Sequence, residues 1–333
     1  MGHTPDKQQQ YNSPVRAIAT GIRDLFKKPA GELSLKETDT LKGKRVLVTG
    51  SSSGLGLATA IELANRGAHV VMAVRSGIPE KGELVKRKSG SDLVDMVHVD
   101  LSDPGSVSRL AESVVARYGP VDILICNAAI VTQQSRKTEA GFDEMFMVNY
   151  LAKYLFVNRF AELGGFNTEG PGLPRIIFVN SESHRNPEKI DWEGFGKYEP
   201  YGINKAVSMY GYYKLLLLTM ANELSRRLNA DGRVNFMVSA LCPGPVNSNI
   251  AREAPALFQS LLKLVFRIFF RSPKKACQPV VYLAASGETE GRIMDYLFLM
   301  NRKEMDEKAT DPDHGRQLWE LTENLVKRLS GDR

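Results

Sequence analysis

A tyrosine and a lysine four residues apart on a helix share one face. The ammonium favours the phenolate of its neighbour, and a phenol tuned in this way can give or take a proton. The chain carries this pattern twice within YGINKAVSMYGYYK, as Tyr201 with Lys205 and as Tyr210 with Lys214. If one helix carried both pairs, tyrosines nine residues apart would stand about two and a half turns apart and face opposite ways. One site can use only one of them.

The register of the surrounding chain favours Tyr210. A helix from Tyr210 to Leu228, ended by NADGR, is about 27 Å long, an ordinary crossover length. A start at Tyr201 adds roughly 13 Å and carries the helix past the sheet edge. Tyr210 also leads directly into KLLLLTMANEL, whereas Tyr201 follows Pro200 in a polar segment. Tyr210 and Lys214 are therefore the expected proton-transfer pair. Tyr201 and Lys205 read as a chance repeat near the rim.

A second chemical feature is TGSSSGLG, Thr49 to Gly56, which follows a strand pattern and opens a helix pattern. The first amides and the dipole of such a helix attract an anion, and glycines let a pyrophosphate approach the backbone. Gly50, Gly54 and Gly56, with Ser51, Ser53 and Leu55 between them, are the expected dinucleotide cradle. Arg75 ends the next strand in MAVRS. An acid there would bond the ribose hydroxyls of NAD, whereas a basic residue accommodates the 2′-phosphate of NADP. NADP is expected over NAD.

The elements that must position these groups alternate. KRVLVTG, AHVVMAVRS, VDILICNAA, PRIIFVNS and VNFMVSALCPG read as strands. SGLGLATAIELANRG, SVSRLAESVVARYG and YGYYKLLLLTMANELSRRL read as helices. Apolar strands alternating with helices predict an α/β fold, a doubly wound, Rossmann-like parallel sheet covered on both faces. The expected organisation is a single domain over 43–333 with an extension at 1–42. Within the extension, Val15, Ile18, Ile22, Leu25 and Phe26 fall at helical spacing. That helix packs on the domain or lies on a membrane surface or a partner.

With 43% hydrophobic and 25% charged residues, the composition is that of an ordinary globular chain. The net charge of +6 comes without a basic run interleaved with aromatics, which argues against nucleic-acid binding. Cys126, Cys242 and Cys277 are too few and too scattered for a metal cluster or a disulfide framework, and favour a reducing compartment. No secretory signal or run of roughly 18 apolar residues is visible. An intracellular protein, cytoplasmic or peripherally membrane-associated, with no metal is expected.

TGxxxGxG resembles the short-chain dehydrogenase/reductase family, and further similar segments follow in order. They are CNAA (Cys126 to Ala129), Asn149 in MVNYLAKYLF, IIFVNSES and PGPVNS (Pro243 to Ser248). The resemblance spans about 43–300. It implies cofactor contacts at Asp100 and Leu101 with the adenine, at Asn127 and Ala128, and at Pro243, Gly244 and Val246. The family's tyrosine stands roughly thirty residues before the PG pair. Pro243 is 33 residues beyond Tyr210 and 42 beyond Tyr201, so the spacing agrees with Tyr210. By the same resemblance Lys214 reaches the nicotinamide ribose, Ser181 bonds the substrate oxygen with Ser183 as its rival, and Asn149 holds a water on the proton path.

SESHR and the later IDWE are similar to the retinol dehydrogenase and WW-domain-containing oxidoreductase branch. After Ser248 comes a stretch rich in Leu, Val, Ile and Phe, with Lys263, Arg267 and Arg271 every fourth residue. It is expected as a substrate lid over about 249–275. A lipophilic pocket wall, a membrane contact and a homodimer contact are the other readings. The expected activity is NADP-dependent interconversion of alcohol and carbonyl groups on a lipophilic small molecule, retinoid-, steroid- or fatty-aldehyde-like. A cofactor-binding regulator without turnover and an ene-reductase are the alternatives.

Overall fold

The computed structural model describes residues 33–246 and 271–331. The helix expected at 15–26 and residues 249–270 of the expected lid lie outside them. The elements are, in order, β1 (Arg45–Thr49), α1 (Gly54–Asn65), β2 (His69–Val74), α2 (Glu80–Ser89), β3 (Val94–His98), α3 (Pro104–Tyr118) and β4 (Ile123–Cys126). Next come the short helix α4 (Glu144–Phe146), a π turn (Met147–Leu151) and α5 (Ala152–Glu162). β5 (Arg175–Val179), α6 (Ile203–Leu228) and β6 (Met237–Cys242) follow. The C-terminal part holds α7 (Pro273–Ala276), α8 (Gln278–Ala285), β7 (Asp295–Phe298), β8 (Asn301–Arg302), α9 (Glu307–Thr310) and α10 (Pro312–Ser330).

The strands form one sheet in the order β3-β2-β1-β4-β5-β6-β7-β8. All neighbours pair parallel except β7 with β8. Successive side chains of a strand point to opposite faces, and both faces here are buried. Val46 and Val48 of β1 join α1 and α8 through Leu63, Ala64 and Val281. Leu47 between them joins α3, α5, α6 and α10 on the other face. This is the doubly wound sheet expected from the alternation. Its strand order reverses between β1 and β4, and in such sheets ligands bind at that reversal, beyond the carboxyl ends of the strands.

Two regions depart from the expectations. The segment carrying α2 and β3 drew no element, because β3 (VDMVH) interrupts its apolar residues with Asp95 and with His98, as an outer strand can. α6 starts at Ile203, seven residues before the expected Tyr210, and its 26 residues span about 39 Å. The extra turns do run off the sheet: Ile203 and Val207 are 57% and 62% exposed. A helix overhanging the edge is held by its own backbone bonds, so packing need not end it there. Within the expected extension, residues 33–42 pack on the domain: Leu41 is buried, and the Leu33 amide donates to the Met300 carbonyl.

Candidate active site

The glycine loop turns sharply from β1 into α1. Gly50 and Gly54 have φ of +67° and +54°, a region open to glycine at little cost. A Cβ on Gly50 would stand 2.7 Å from the Ala128 Cα, and one on Gly56 only 2.3 Å from the Gly50 carbonyl oxygen. The loop is pinned from β4. The Asn127 side-chain amide donates to the carbonyls of Thr49 and Gly50 at 2.9 and 3.0 Å. The Asn127 backbone amide donates to the Thr49 hydroxyl at 3.1 Å. Ser53, at the N-cap of α1, makes no side-chain cap, and the first turn holds no acid. Neither the cap nor the first turn supplies an anion at the positive end of the helix, which fits the diphosphate of a dinucleotide.

Other expected cofactor residues surround this loop. Arg75 is exposed just after β2, and Leu101 is partly buried against the core. Burial alone would raise the Asp100 carboxyl, but hydrogen bonds from the Ser102 hydroxyl and amide and the nearby Arg75 guanidinium hold it below its usual range. A cleft of about 880 Å³ opens at Asp100 and runs between α3 and the 136–144 loop. Of the expected cofactor residues it is lined by Asp100, and neither Tyr210 nor Ser181 is among its walls. Pro243 is buried, Gly244 has φ of +75°, and Val246 bridges to Arg271. Leu55 packs partly buried on the core. Ser51 is fully buried and its hydroxyl donates to the Val48 carbonyl at 3.0 Å.

Tyr210 and Lys214 meet where β5 ends. Lys214 is 1% exposed, and its Nζ stands 5.6 Å from the centre of the Tyr210 ring. That Nζ donates to the Val179 carbonyl at 2.8 Å. The Ser181 hydroxyl lies near enough to Tyr210 to favour its ionised form, and Ser183 donates through its hydroxyl to the Ser181 Oγ at 3.0 Å. Because Ser183 is the donor there, Ser181 keeps its own proton for another acceptor. Asn180 braces the corner, donating to the Lys214 carbonyl at 3.2 Å and accepting from the Ser181 amide at 2.9 Å. Ser181 is thus the serine that meets Tyr210.

The expected tuning of the phenol is corrected as well. Burial is the largest influence on Tyr210 and pushes its pKa up, with the Cys242 thiol acting the same way and the Ser181 bond opposing. The ammonium sits over the ring and bonds the Val179 carbonyl, so it does not offset the loss of solvent. Lys214 itself is pushed down to about 7, first by burial and then by the Lys153 ammonium. Tyr210 is a protonated phenol, set up as an acid.

Asn149 lies in the π turn and is fully buried. Its side chain clamps Ile130, accepting from the amide and donating to the carbonyl, both at 2.9 Å. Both groups of that side-chain amide are thus engaged by Ile130.

Tyr201 stands two residues before α6 and is held to the loop after β4, its carbonyl accepting from the Ser135 amide at 2.9 Å. Its hydroxyl is buried near Asp143 and Thr132 without a well-formed hydrogen bond. Lys205 is exposed, 3.9 Å from Glu199. The first pair therefore does not converge on Ser181.

Two side chains escaped the sequence reading. His184 is fully buried; its Nδ1 bonds the Ser181 carbonyl at 2.7 Å and its Nε2 accepts from the Asp306 amide at 3.4 Å. Burial pushes its pKa down to about 4, so the ring is neutral with its proton on Nδ1. Lys153 is 3% exposed and reaches the turn after β4. A lysine inside the apolar run LAKYLF was its only signal.

A family model described as short chain dehydrogenase matches residues 44–191. Retinol dehydrogenase 14 of Mus musculus is 33% identical over 300 residues, covering 86% of this chain and 86% of that protein. The WW domain-containing oxidoreductase of Danio rerio is 30% identical over 337 residues, covering 98% of this chain and 79% of its own length. A crystal structure of an uncharacterized protein from Mycobacterium Paratuberculosis is similar with a TM-score of 0.66 at 27% identity, over 89% of this chain and 96% of that one. The sheet order, the glycine cradle and these relatives agree: the chain belongs to the short-chain dehydrogenase/reductase family, NAD(P)-dependent oxidoreductases of alcohol and carbonyl groups, in the branch of the retinol dehydrogenases and the WW domain-containing oxidoreductase.

Proposed function

We propose that the protein is an NADP-dependent oxidoreductase that interconverts alcohol and carbonyl groups on a lipophilic small molecule. The observation that carries this reading is the meeting of Ser181, Tyr210 and Lys214 at the carboxyl end of β5. When bound, the nicotinamide supplies or accepts the hydride. Tyr210, kept protonated by its burial, delivers a proton to the substrate oxygen in the reducing direction. Ser181 donates a second hydrogen bond to that oxygen and stabilises the charge that develops on it. Lys214 uses one of its three donors on Val179, which leaves two for the ribose of the cofactor. Asn149 acts by holding Ile130 and the turn after β4 in place.

Arg75 supports NADP, since a guanidinium at that strand end suits a 2′-phosphate. Ile203 and Val207 support a lipophilic substrate. They are exposed, and at i, i+4 and i+7 they share a helix face with Tyr210. The relatives named retinol dehydrogenase point the same way.

The test is NADPH oxidation with a panel of aldehydes and ketones, retinal and long-chain aldehydes included. Turnover that falls in Tyr210→Phe and persists in Tyr201→Phe is expected. Cofactor binding without turnover on any member would overturn the reading in favour of a regulator. Arg75→Ala should erode the preference for NADPH over NADH, and an unchanged preference would defeat the phosphate argument.

A further inference from the structure

Glu182 follows Ser181 in the chain and opens the short 3₁₀ turn Glu182–Arg185. Its Oε1 accepts from the Tyr296 hydroxyl at 2.7 Å. Its Oε2 accepts from the Lys303 ammonium at 2.5 Å and from the Arg185 guanidinium at 3.1 Å. Burial alone would raise this carboxyl, but Arg185, Lys303 and the Tyr296 bond hold it below its usual range. A carboxylate with three donors on it, two of them cations, is a rigid anchor.

Tyr296 belongs to β7, and Lys303 directly follows β8. The same C-terminal segment reaches the turn twice more. The Asp306 amide donates to the His184 Nε2 at 3.4 Å, and the Glu304 carbonyl accepts from Arg185. On its other side the turn presses on α6. A Cβ on Gly211, the residue after Tyr210, would stand 2.7 Å from the Ser183 carbonyl oxygen. The turn is thus clasped between the helix that carries Tyr210 and the strand pair β7–β8. Inside it, the His184 amide and Nδ1 both bond the Ser181 carbonyl, at 3.1 and 2.7 Å. A displacement of the turn therefore takes Ser181 with it and changes its place relative to Tyr210.

We propose that Glu182 is a positioning residue for the reaction: its carboxylate, anchored on Tyr296, Lys303 and Arg185, sets the place of the Ser181 hydroxyl relative to Tyr210. This rests on the proposed function, in which both hydroxyls bond one substrate oxygen. A donor aimed at developing charge is sensitive to small displacements. Loss of the anchor therefore shows in the chemical step and passes through Ser181.

The test is a double-mutant cycle of Glu182→Gln with Ser181→Ala, read by steady-state carbonyl reduction with NADPH. Glu182→Gln keeps an acceptor for Tyr296 and removes the charge. It should lower kcat by about tenfold with KM within about twofold, inside the 10²-fold that a 1 Å misplacement can cost. In the Ser181→Ala background the same change should cost under about twofold, because the residue through which it acts is gone. Equal losses in both backgrounds would overturn the proposal, since general damage to the fold does not depend on Ser181. If circular dichroism shows that Glu182→Gln does not fold, Tyr296→Phe, which removes a single donor, takes its place in the cycle. Hydrogen exchange reads the anchor without turnover. The amides of His184 and Asn186, both bonded inside the turn, should exchange several-fold faster in the variant, and unchanged exchange overturns the proposal too. Absence of wild-type turnover on the whole carbonyl panel would defeat the proposed function, while the exchange still decides whether Glu182 holds the turn.

Discussion

The two tyrosine–lysine pairs are alike in sequence and opposite in surroundings. Tyr201 and Lys205 straddle the start of α6, where the helix overhangs the sheet. Lys205 is in solvent near Glu199, and the Tyr201 hydroxyl is folded away toward Asp143. Tyr210 and Lys214 lie over the end of β5, where Lys214 is buried on Val179 and Tyr210 meets Ser181. A motif spaced for one helix face becomes a site only where the helix crosses the carboxyl ends of the strands. There, backbone carbonyls and a neighbouring serine converge on it. The same comparison shows that a buried cation need not acidify its phenol, because the loss of solvent acts on both groups.

Tests of that contrast run from large effects to small. Tyr210→Phe should lower kcat by roughly 10²- to 10⁴-fold with little change in thermal stability, as loss of a general acid does; steady-state kinetics and calorimetry check both. Ser181→Ala should cost about 10²-fold in kcat, the scale of a lost oxyanion donor. An equal loss in Ser183→Ala would shift the role to the other serine. Gly56→Ala should destabilise the fold by about 1–3 kcal/mol, because its Cβ meets backbone that cannot retreat, and should weaken cofactor binding; urea unfolding and isothermal titration read the two separately.

The neutral His184 predicts a pH effect. Its proton affinity is lower folded, at about 4, than unfolded, at about 6.5. The unfolded chain therefore binds more protons between these values, and stability falls as pH drops from about 6.5 to about 4. The urea midpoint against pH should show that slope in the wild type and a flatter one in His184→Gln. Tyr201→Phe should have the smallest effect. It removes a buried hydroxyl that lacks a good partner, so stability should hold or rise slightly. Turnover should stay within about threefold of wild type, as for a group that touches no reacting atom. A larger loss there would erase the contrast between the pairs.

Much of this was legible in the chain. The strands β1, β2 and β4 to β6 are apolar runs, and burial on both faces is what writes such runs. The glycine loop and the turn after β4 were legible because close backbone approach permits few residue types. Less visible were β3, at the outer edge with one neighbour, and β7, whose four residues are too short to show a pattern. The early start of α6 was missed because Pro200 and the polar residues around Tyr201 read as loop, although Ile203 and Val207 already fall at helical spacing with Tyr210. Lys153 and His184 were missed as site residues because a lone charged or polar residue in an apolar run gives no hint of what it faces.

By itself the sequence determined the sheet, the cradle and the family, since each depends on periodicity or on residue types at short range. Only the tertiary structure decided which tyrosine has a serine beside it, that burial raises the pKa of that phenol, and that Lys153 is buried against the turn after β4. These outcomes depend on distance and on exclusion of water across residues far apart in the chain, and no local pattern encodes either.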